Sequence, residues 1–117
     1  MALSNAADLS VVEFLTIAAL ERYQATWDQL IRYWFDKECC RKANVELEEI
    51  RKLVLALPRL SADVMEVTMR HAQLLRALLK RDRLQPGEAE VTALRNKHRA
   101  AIRAVRAKCV HYLAAQQ

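Results

Sequence analysis

Arginine side chains recur in the last third of the chain at spacings that place them on one face of a helix. Four of them share that face: Arg95, Arg99, Arg103 and Arg106. At about 100° per residue they lie within roughly 80° of the helix circumference. A guanidinium donates bidentate hydrogen bonds to phosphate, and like charges at these spacings repel one another. The row therefore predicts a surface for an anionic partner.

Positive charge is concentrated in the second half of the chain. The formal net charge is +5, but residues 1–58 carry 7 basic and 9 acidic side chains, whereas residues 59–117 carry 12 basic and 5 acidic ones. A region of one sign attracts polyanions or an acidic protein surface; an ordinary solvated helix face is the alternative. The cations predicted to bind a nucleic-acid backbone are Arg95, Arg99, Arg103, Arg106, Lys97 and Lys108 on the last helix and Arg76, Lys80 and Arg83 on the helix before it.

The cysteine and histidine residues lack the spacings of a metal site or of a nucleophile paired with a base. Cys39, Cys40 and Cys109 include no CxxC pair, and adjacent cysteines on a helix point in different directions. Phosphate-binding and calcium-binding loops are also absent from the sequence. His98 falls in an apolar stripe, where a hydrogen-bonded core histidine is the usual case. We therefore predict no catalytic residue, no cofactor and no metal, and hence no enzyme.

Two further sets of residues predict contacts with other proteins. Tyr33, Trp34 and Phe35 are consecutive, so they cannot all face one core, and aromatic side chains often anchor interfaces. The alternative is the periphery of the core. Alanines recur on the last helix opposite its apolar stripe and would admit a partner helix, although alanine is also the best helix former. They are Ala93, Ala100, Ala104 and Ala107.

The composition favours helices. One glycine and two prolines among 117 residues, with 53% hydrophobic residues, exclude most folds that need many tight turns. Apolar residues at helical spacing follow a capping-box pattern at Ser10 and Glu13, which predicts the start of the first helix. Leu15 belongs to its apolar stripe. A break is expected between Asp36 and Asn44, and Asn44 is the expected N-cap of the second helix.

Proline, serine and glycine residues mark the predicted helix boundaries in the second half of the chain. Pro58 ends the second helix and Ser61 caps the third. Gln85, Pro86 and Gly87 form a turn by composition, and a fourth helix begins near Glu88. Short connections favour antiparallel neighbours. The sequence thus predicts an all-α fold, a single-domain antiparallel bundle of about four helices spanning residues 1–117.

Two functions remain open. The first is an accessory subunit that binds a nucleic-acid backbone, as a single strand or an RNA-containing one, without sequence specificity inside a ribonucleoprotein-type assembly. In size, helical content and charge the chain is similar to the small subunits of CRISPR effector complexes, an analogy at the level of the fold. The second is an adaptor, chaperone or inhibitor that binds an acidic partner protein. Small bacterial export chaperones have a similar general character. A homo-oligomer is also open.

The first function depends on the arginine row being available. Ion pairs between those arginines and carboxylates of the N-terminal half would remove it. The N-terminal ten residues carry no Lys or Arg, and the longest strongly apolar stretch is too short for a bilayer-spanning helix. With an odd number of cysteines, this predicts a cytoplasmic protein with free thiols and no membrane partner.

Overall fold

The computed structural model describes the backbone of residues 6–32, 36–84 and 88–115, and their side chains except those of residues 6–8 and 81–84. These residues confirm the predicted all-α bundle. They form four α-helices and one short 3-10 helix: α1 Ala6–Arg32, α2 Lys37–Val54, the 3-10 helix Pro58–Leu60, α3 Ser61–Leu84 and α4 Glu88–Ala115.

Polar contacts between the helices show that neighbours run antiparallel. On α1, Asp28 pairs with Arg99 of α4, and Glu21, seven residues earlier, pairs with Arg106, seven residues later. Lys108 of α4 reaches Asp63 near the start of α3. The bundle is elongated, with extents of 56 × 24 × 19 Å, as expected for helices of up to 28 residues lying side by side.

One apolar core runs along the middle of the bundle and receives side chains from all four helices. The largest fully buried side chains include Tyr23 and Trp27 of α1. The apolar stripe predicted for α4 is confirmed: Val91, Ala101, Ile102, Val105 and Cys109 are buried, and Leu94 and Tyr112 are half-buried. On α2 and the turn that follows it, Leu47, Ile50, Val54 and Leu57 recur at helical spacing and are buried as well.

The four interfaces between neighbouring helices differ in how much of each helix they involve. The α1/α2, α1/α4 and α3/α4 pairs pack along their lengths, whereas α2 meets α3 over a much smaller area. Asn44 of α2 and His71 of α3 are among the contacts that bridge this seam. The open α2/α3 seam leaves part of both helices uncovered.

The start of α1 differs from its prediction. The helix begins by Ala6 and not near Ser10, so Glu13 lies inside it and cannot form a capping box. Both Glu13 carboxylate oxygens are buried without a hydrogen-bond partner. Leu15, expected in the core, is 48% exposed, because Glu13 and Thr16 occupy the buried face at this level.

The ends of α2 also differ. Asp36, and not Asn44, is the N-cap: its Oδ1 accepts a hydrogen bond from the backbone N–H of Glu38 at 2.9 Å. Asn44 lies in the middle of α2. The helix ends at Val54, before Pro58. Hydrogen bonds between residues three apart continue the turn to Leu57, which leaves the α region with φ −129° and ψ 71°, as expected for a residue preceding proline.

The later boundaries agree more closely with the sequence. Ser61 is the first residue of α3 and has helical backbone angles, so it does not occupy the predicted cap position. The start of α4 at Glu88 is confirmed, while the predicted turn at residues 85–87 lies outside the described residues. No helix in the described part of the chain combines the length and apolar character needed to cross a membrane.

Candidate functional site

The arginine row of α4 lies along the seam with α1. Arg99 Nη2 is 3.0 Å from Asp28 Oδ1, and Arg95 Nη2 is 3.4 Å from the same oxygen. Arg106 Nη2 is 3.4 Å from Glu21 Oε1. The side chains of Arg95 and Arg99 are 31% and 34% exposed, since their aliphatic stems cover the edge of the core.

The row is therefore not the open cationic surface that its spacing suggests. Three of its four arginines lie against carboxylates of α1, which is the condition that removes such a surface. The Asp28 carboxylate pairs with the guanidiniums of both Arg95 and Arg99. One negative charge then faces two positive ones, so the α1/α4 seam keeps some positive charge. Arg103 is exposed and forms no ion pair with any described residue.

The two lysines among the predicted cations of α4 behave differently from each other. Lys108 Nζ lies 2.6 Å from Asp63 Oδ2, and the hydrogen bond from Lys108 to Asp63 raises the pKa of Lys108 above its ordinary value. Lys97 is exposed and has no ion-pair partner within the described ranges. Lys108 thus helps to hold α4 against α3, and Lys97 stays available.

The second predicted row, on α3, borders a shallow groove against the start of α4. Arg76 and Lys80 line this groove with Glu90 and Leu94, and both cations are exposed. The side chain of Arg83 lies outside the described residues. Arg76 and Lys80 are the cations of this row that a ligand could reach.

The predicted protein contacts fall into two groups. Tyr33, Trp34 and Phe35 lie outside the described residues. The alanine face of α4 is exposed as expected, and Arg103 is exposed beside it on the same helix. The exposed alanines are Ala93, Ala100, Ala104 and Ala107.

A hydrogen-bonded polar network crosses the centre of the bundle. The Tyr23 hydroxyl lies 2.7 Å from His71 Nδ1 and 2.9 Å from His98 Nε2. His71 Nε2 lies 2.8 Å from Asn44 Oδ1. Trp27 packs edge-on against both imidazole rings, with ring centroids 5.1 and 5.0 Å away. The network joins one residue of each helix and confirms His98 as a hydrogen-bonded core histidine.

The acceptor at Asn44 fixes the direction of these hydrogen bonds. His71 Nε2–H donates to Asn44 Oδ1, so His71 Nδ1 carries no proton and accepts from the Tyr23 hydroxyl. The Tyr23 oxygen then accepts from His98 Nε2–H. Both imidazoles are neutral in this arrangement: burial lowers the pKa of His71 to about 4, and burial, with His71 and Arg99 adding to it, lowers that of His98 to about 3.

A second buried polar group lies at the end of the bundle where α1 begins. Glu13 is fully buried, and neither carboxylate oxygen has a hydrogen-bond partner. Burial raises its pKa, and the Arg59 guanidinium offsets only part of that rise. Unlike the central network, this group has lost its contact with water and gained no donor in return.

Large apolar side chains are exposed around this same end of the bundle. They come from the first turns of α1, from the turn after α2 and from the first turns of α3: Val11, Phe14, Leu15, Leu55, Met65 and Met69. We call these six residues the apolar end surface. Leu55 is 81% and Phe14 is 67% exposed. Exposed apolar patches of this kind are typical of interaction sites.

Two grooves lie on either side of the last turn of α2. The α2/α3 groove, of about 200 Å³, is lined by Leu55, Met65, Val54 and Val64 together with polar side chains. The α1/α2 groove, of about 390 Å³, contains Leu15 and Leu53 between charged residues. Leu15 of α1 and Met65 of α3, both members of the apolar end surface, therefore lie on opposite sides of the end of α2.

The described residues hold no cluster suited to a metal ion. No group of three or more His, Cys, Asp or Glu side chains comes together among them. The three cysteines are free thiols. Burial raises the pKa of Cys39 and Cys40, and raises that of Cys109 to about 11, so these thiols are weakly nucleophilic at neutral pH.

Sequence reasoning missed the ion pairs and the apolar end surface. A signal for the first was present, because Glu21 and Asp28 are seven residues apart, the same separation as Arg99 and Arg106. In an antiparallel helix pair, matched separations of seven bring such residues face to face. For the apolar end surface the sequence signal is weak. Met65 and Met69 are four residues apart and so share one side of α3, but only the open α2/α3 seam makes that side exposed.

Comparison with protein families, curated proteins and solved structures finds no match to this chain.

Proposed function

We propose that this chain is a non-catalytic protein-interaction module, an adaptor that binds an amphipathic helix of a partner protein. The observation that carries the proposal is the apolar end surface, whose Leu55 and Met65 line the groove at the open α2/α3 seam. Six large apolar side chains, each about half exposed or more, surround one end of the bundle. Keeping them in water is unfavourable by about 25 cal/mol for each Å² that a partner could cover.

The shape and chemistry of the α2/α3 groove favour a helix as the ligand. Two antiparallel helices leave a straight furrow between them, which fits the apolar side of a third helix. Met65 lies on one wall of this groove with Leu55 across from it, and Met69 is exposed one helical turn further along α3. Methionine side chains are unbranched and adapt to different apolar partners.

The ion pairs of α4 are the reason for ranking a protein partner above a nucleic acid. Arg95, Arg99 and Arg106 lie against α1 carboxylates, and Lys108 lies against Asp63. A phosphate would have to compete with these contacts. Among the described residues, no side chain covers the apolar end surface in this way.

Site-specific photo-crosslinking tests the proposal in cells that contain the full chain. A photo-reactive amino acid at position 65 or 55 should give the same discrete adduct with one other protein. Val45 is a matched control, because it is 53% exposed on α2 but is not part of the apolar end surface. Position 45 should not give that adduct.

Charge substitution sharpens the test. Leu55→Glu should remove the adduct formed at position 65 while Val45→Glu leaves it unchanged, with helicity by circular dichroism equal in both. Loss of the adduct in both variants, or equal adducts at positions 45 and 65, would overturn the proposal. An adduct with the mass of two chains would assign the surface to self-association instead.

A second candidate function, binding of a nucleic-acid backbone, is supported by cations that remain exposed. Within the described ranges, four of the predicted cations have no ion pair: Arg76, Lys80, Lys97 and Arg103. Arg76 and Lys80 lie together at the α3/α4 groove. Each phosphate contact adds a sequence-independent, salt-sensitive increment of affinity.

A salt titration with fluorescent single-stranded DNA and RNA tests this candidate. Arg76→Glu with Lys80→Glu should weaken binding strongly, since neither residue pairs with an internal carboxylate. Lys42→Glu, at an exposed position of α2, is the control. No binding by the wild-type chain at about 20 mM salt, where phosphate contacts are strongest, overturns the candidate.

The free thiols support a location for either function. All three cysteines are unpaired, as in proteins of reducing compartments. We infer that the module acts in the cytoplasm. Alkylation of the thiols in intact cells, followed by mass spectrometry of the purified chain, should find them reduced.

A further inference from the structure

The first turns of α1 are attached to the bundle differently from the rest of that helix. From Leu9 to Thr16, the fully buried side chains are Glu13 and Thr16, both polar. Leu9 and Val12 pack only partly against the core. After Thr16, the same helix buries large apolar side chains, among them Leu20, Trp27 and Leu30. The first turns therefore contribute little apolar burial to hold them in place.

Glu13 and Thr16 are the most deeply buried side chains of these turns, and Glu13 is the one that can ionise. Both of its oxygens are buried without a hydrogen-bond partner. Burying a neutral carboxyl without a partner already costs about 1–3 kcal/mol, and burying an ionised one costs far more. The packed arrangement is thus compatible with the protonated carboxyl and strained by the carboxylate.

Charged and titratable groups of the neighbouring elements do not supply the missing partner. Arg59, from the 3-10 helix, acts on Glu13 at a distance, while its guanidinium lies 3.8 Å from the centroid of the Tyr112 ring. The Cys109 thiol of α4 is buried, and the charge of Glu13 contributes to the raised pKa of this thiol. Asp63 and Lys108 pair with each other. On α2, Arg51 and Lys52 are exposed.

We propose that residues 9–16 form a pH-sensitive arm, which packs on the bundle while Glu13 is neutral and is released when this carboxyl ionises. Release carries the Glu13 carboxylate into water and uncovers the Cys109 side of α4. The rest of α1 stays in place, because the Tyr23 network and the pair between Asp28 and Arg99 lie beyond the arm. The inference does not depend on the proposed partner.

The sign of the pH dependence follows from proton linkage. The packed arm holds a proton on Glu13 over a pH range in which the released arm, with an ordinary glutamate, does not. Between the ordinary pKa of glutamate and the raised pKa of packed Glu13, raising the pH therefore favours release. The opening equilibrium constant rises by up to about tenfold per pH unit in this range and is level on either side.

Hydrogen exchange of the full chain, followed by mass spectrometry at a series of pH values, tests the arm. Exchange rates are divided by the intrinsic rate at each pH to give protection factors. The amides of residues 9–16 should lose protection as the pH rises above about 4.5, the ordinary value for glutamate. Amides around Ile50 and Ile102, deep in the core, should not follow them.

Two variants isolate the carboxyl. Glu13→Gln cannot ionise, so the protection of residues 9–16 should become independent of pH. Glu13→Leu also removes the unpaired polar group, and its arm should be the most protected at neutral pH. Glu90→Gln removes an exposed carboxyl on α4 and should behave as the wild type.

Each other outcome contradicts the proposal. Equal pH dependence in the wild type and both Glu13 variants would show that another group controls the arm. Loss of protection in residues 9–16 and around Ile102 together would show unfolding of the whole bundle. Unchanged protection of residues 9–16 across the pH series would show that ionised Glu13 is tolerated where it lies.

Discussion

The two halves of α1 bury polar groups in opposite settings. In the second half, the Tyr23 hydroxyl accepts from His98 and donates to His71, which in turn donates to Asn44. In the first half, Glu13 is equally buried and has no hydrogen-bond partner. The Tyr23 hydroxyl is thus satisfied and the Glu13 carboxyl is not, although Trp27 Nε1, beside the network, is also buried without a hydrogen-bond partner.

The difference lies in what the neighbouring helices offer at each level. At the Tyr23 level, each of the other three helices contributes a group that can donate or accept a hydrogen bond. At the Glu13 level, the described groups that interact with it are the Cys109 thiol and Arg59, whose guanidinium lies over the Tyr112 ring. A satisfied network fixes the mutual register of helices, whereas an unsatisfied group lowers local stability. We therefore expect a rigid centre and a less stable end.

The largest expected effect is on the pH dependence of unfolding. Burial lowers the pKa of His71 to about 4 and that of His98 to about 3, so both stay neutral in the folded bundle after they would protonate in the unfolded chain. The stability they provide is present above about pH 6.5 and is lost as the pH falls toward 4, by several kcal/mol in total. Urea unfolding at a series of pH values measures it.

A variant at one histidine checks the origin of this loss. His98→Gln keeps a donor that can reach Tyr23 but does not titrate, so the histidine contribution to the pH slope should fall from about two protons to about one. Glu13 acts with the opposite sign, because its pKa is raised. Equal slopes for the variant and the wild type would mean that His98 already binds its proton in the folded state.

Removing the centre of the network should have the next largest effect. Tyr23→Phe deletes the hydroxyl and leaves His71 Nδ1 and His98 Nε2–H buried without partners. The expected cost is about 3 kcal/mol of unfolding free energy at pH 7, since each unsatisfied group costs about 1–3 kcal/mol. Chemical denaturation provides the measurement.

A second tyrosine provides the control for that variant. Tyr112→Phe removes a hydroxyl from a half-buried ring and keeps the ring under Arg59, so it should change stability by about 0.5 kcal/mol or less. Similar losses in the two variants would remove the distinction between a network residue and an ordinary tyrosine.

Part of this comparison was predictable from the sequence. His98 lies among Leu94, Ala101 and Ile102 at core spacing, which places it inside the bundle and requires a hydrogen bond. The α4 stripe and the helix class follow from the same periodicity. The partner Tyr23 is 75 residues away in the chain, and no local pattern specifies such a contact.

The predictions were wrong where a local sequence pattern is compatible with two different structures. Ser10 and Glu13 fit a helix start, but α1 already begins by Ala6, and the same glutamate then points into the bundle. Asn44 fits an N-cap, but Asp36 caps α2 and Asn44 instead accepts from His71. The arginine row lies on one side of the α4 apolar stripe, as its spacing predicts. The carboxylates that pair with it depend on the register between α1 and α4, which the spacing does not give.

Replacing the unsatisfied carboxyl should stabilise the protein moderately. Glu13→Leu removes a buried group without partners and adds apolar contact with the surrounding side chains, so unfolding free energy should rise by about 1–2 kcal/mol at pH 7. The gain should shrink as the pH falls below about 4.5, because Glu13 then becomes neutral in the unfolded chain as well. Thermal and urea unfolding at both pH values measure this gain. A destabilised Glu13→Leu variant would show that the carboxyl is satisfied in solution.

The smallest effects concern the ion pairs that hold the second half of α1 against α4. Asp28→Asn leaves the half-buried Arg95 and Arg99 without their shared carboxylate and should cost about 1 kcal/mol, since these arginines are partly shielded from water. Glu21→Gln breaks a more exposed pair with Arg106 and should cost about 0.3 kcal/mol, with more of that loss screened by salt. Unfolding at low and high salt compares the two. If both variants match the wild type, the seam is held by apolar packing alone, and the difference between the halves of α1 reduces to their buried groups.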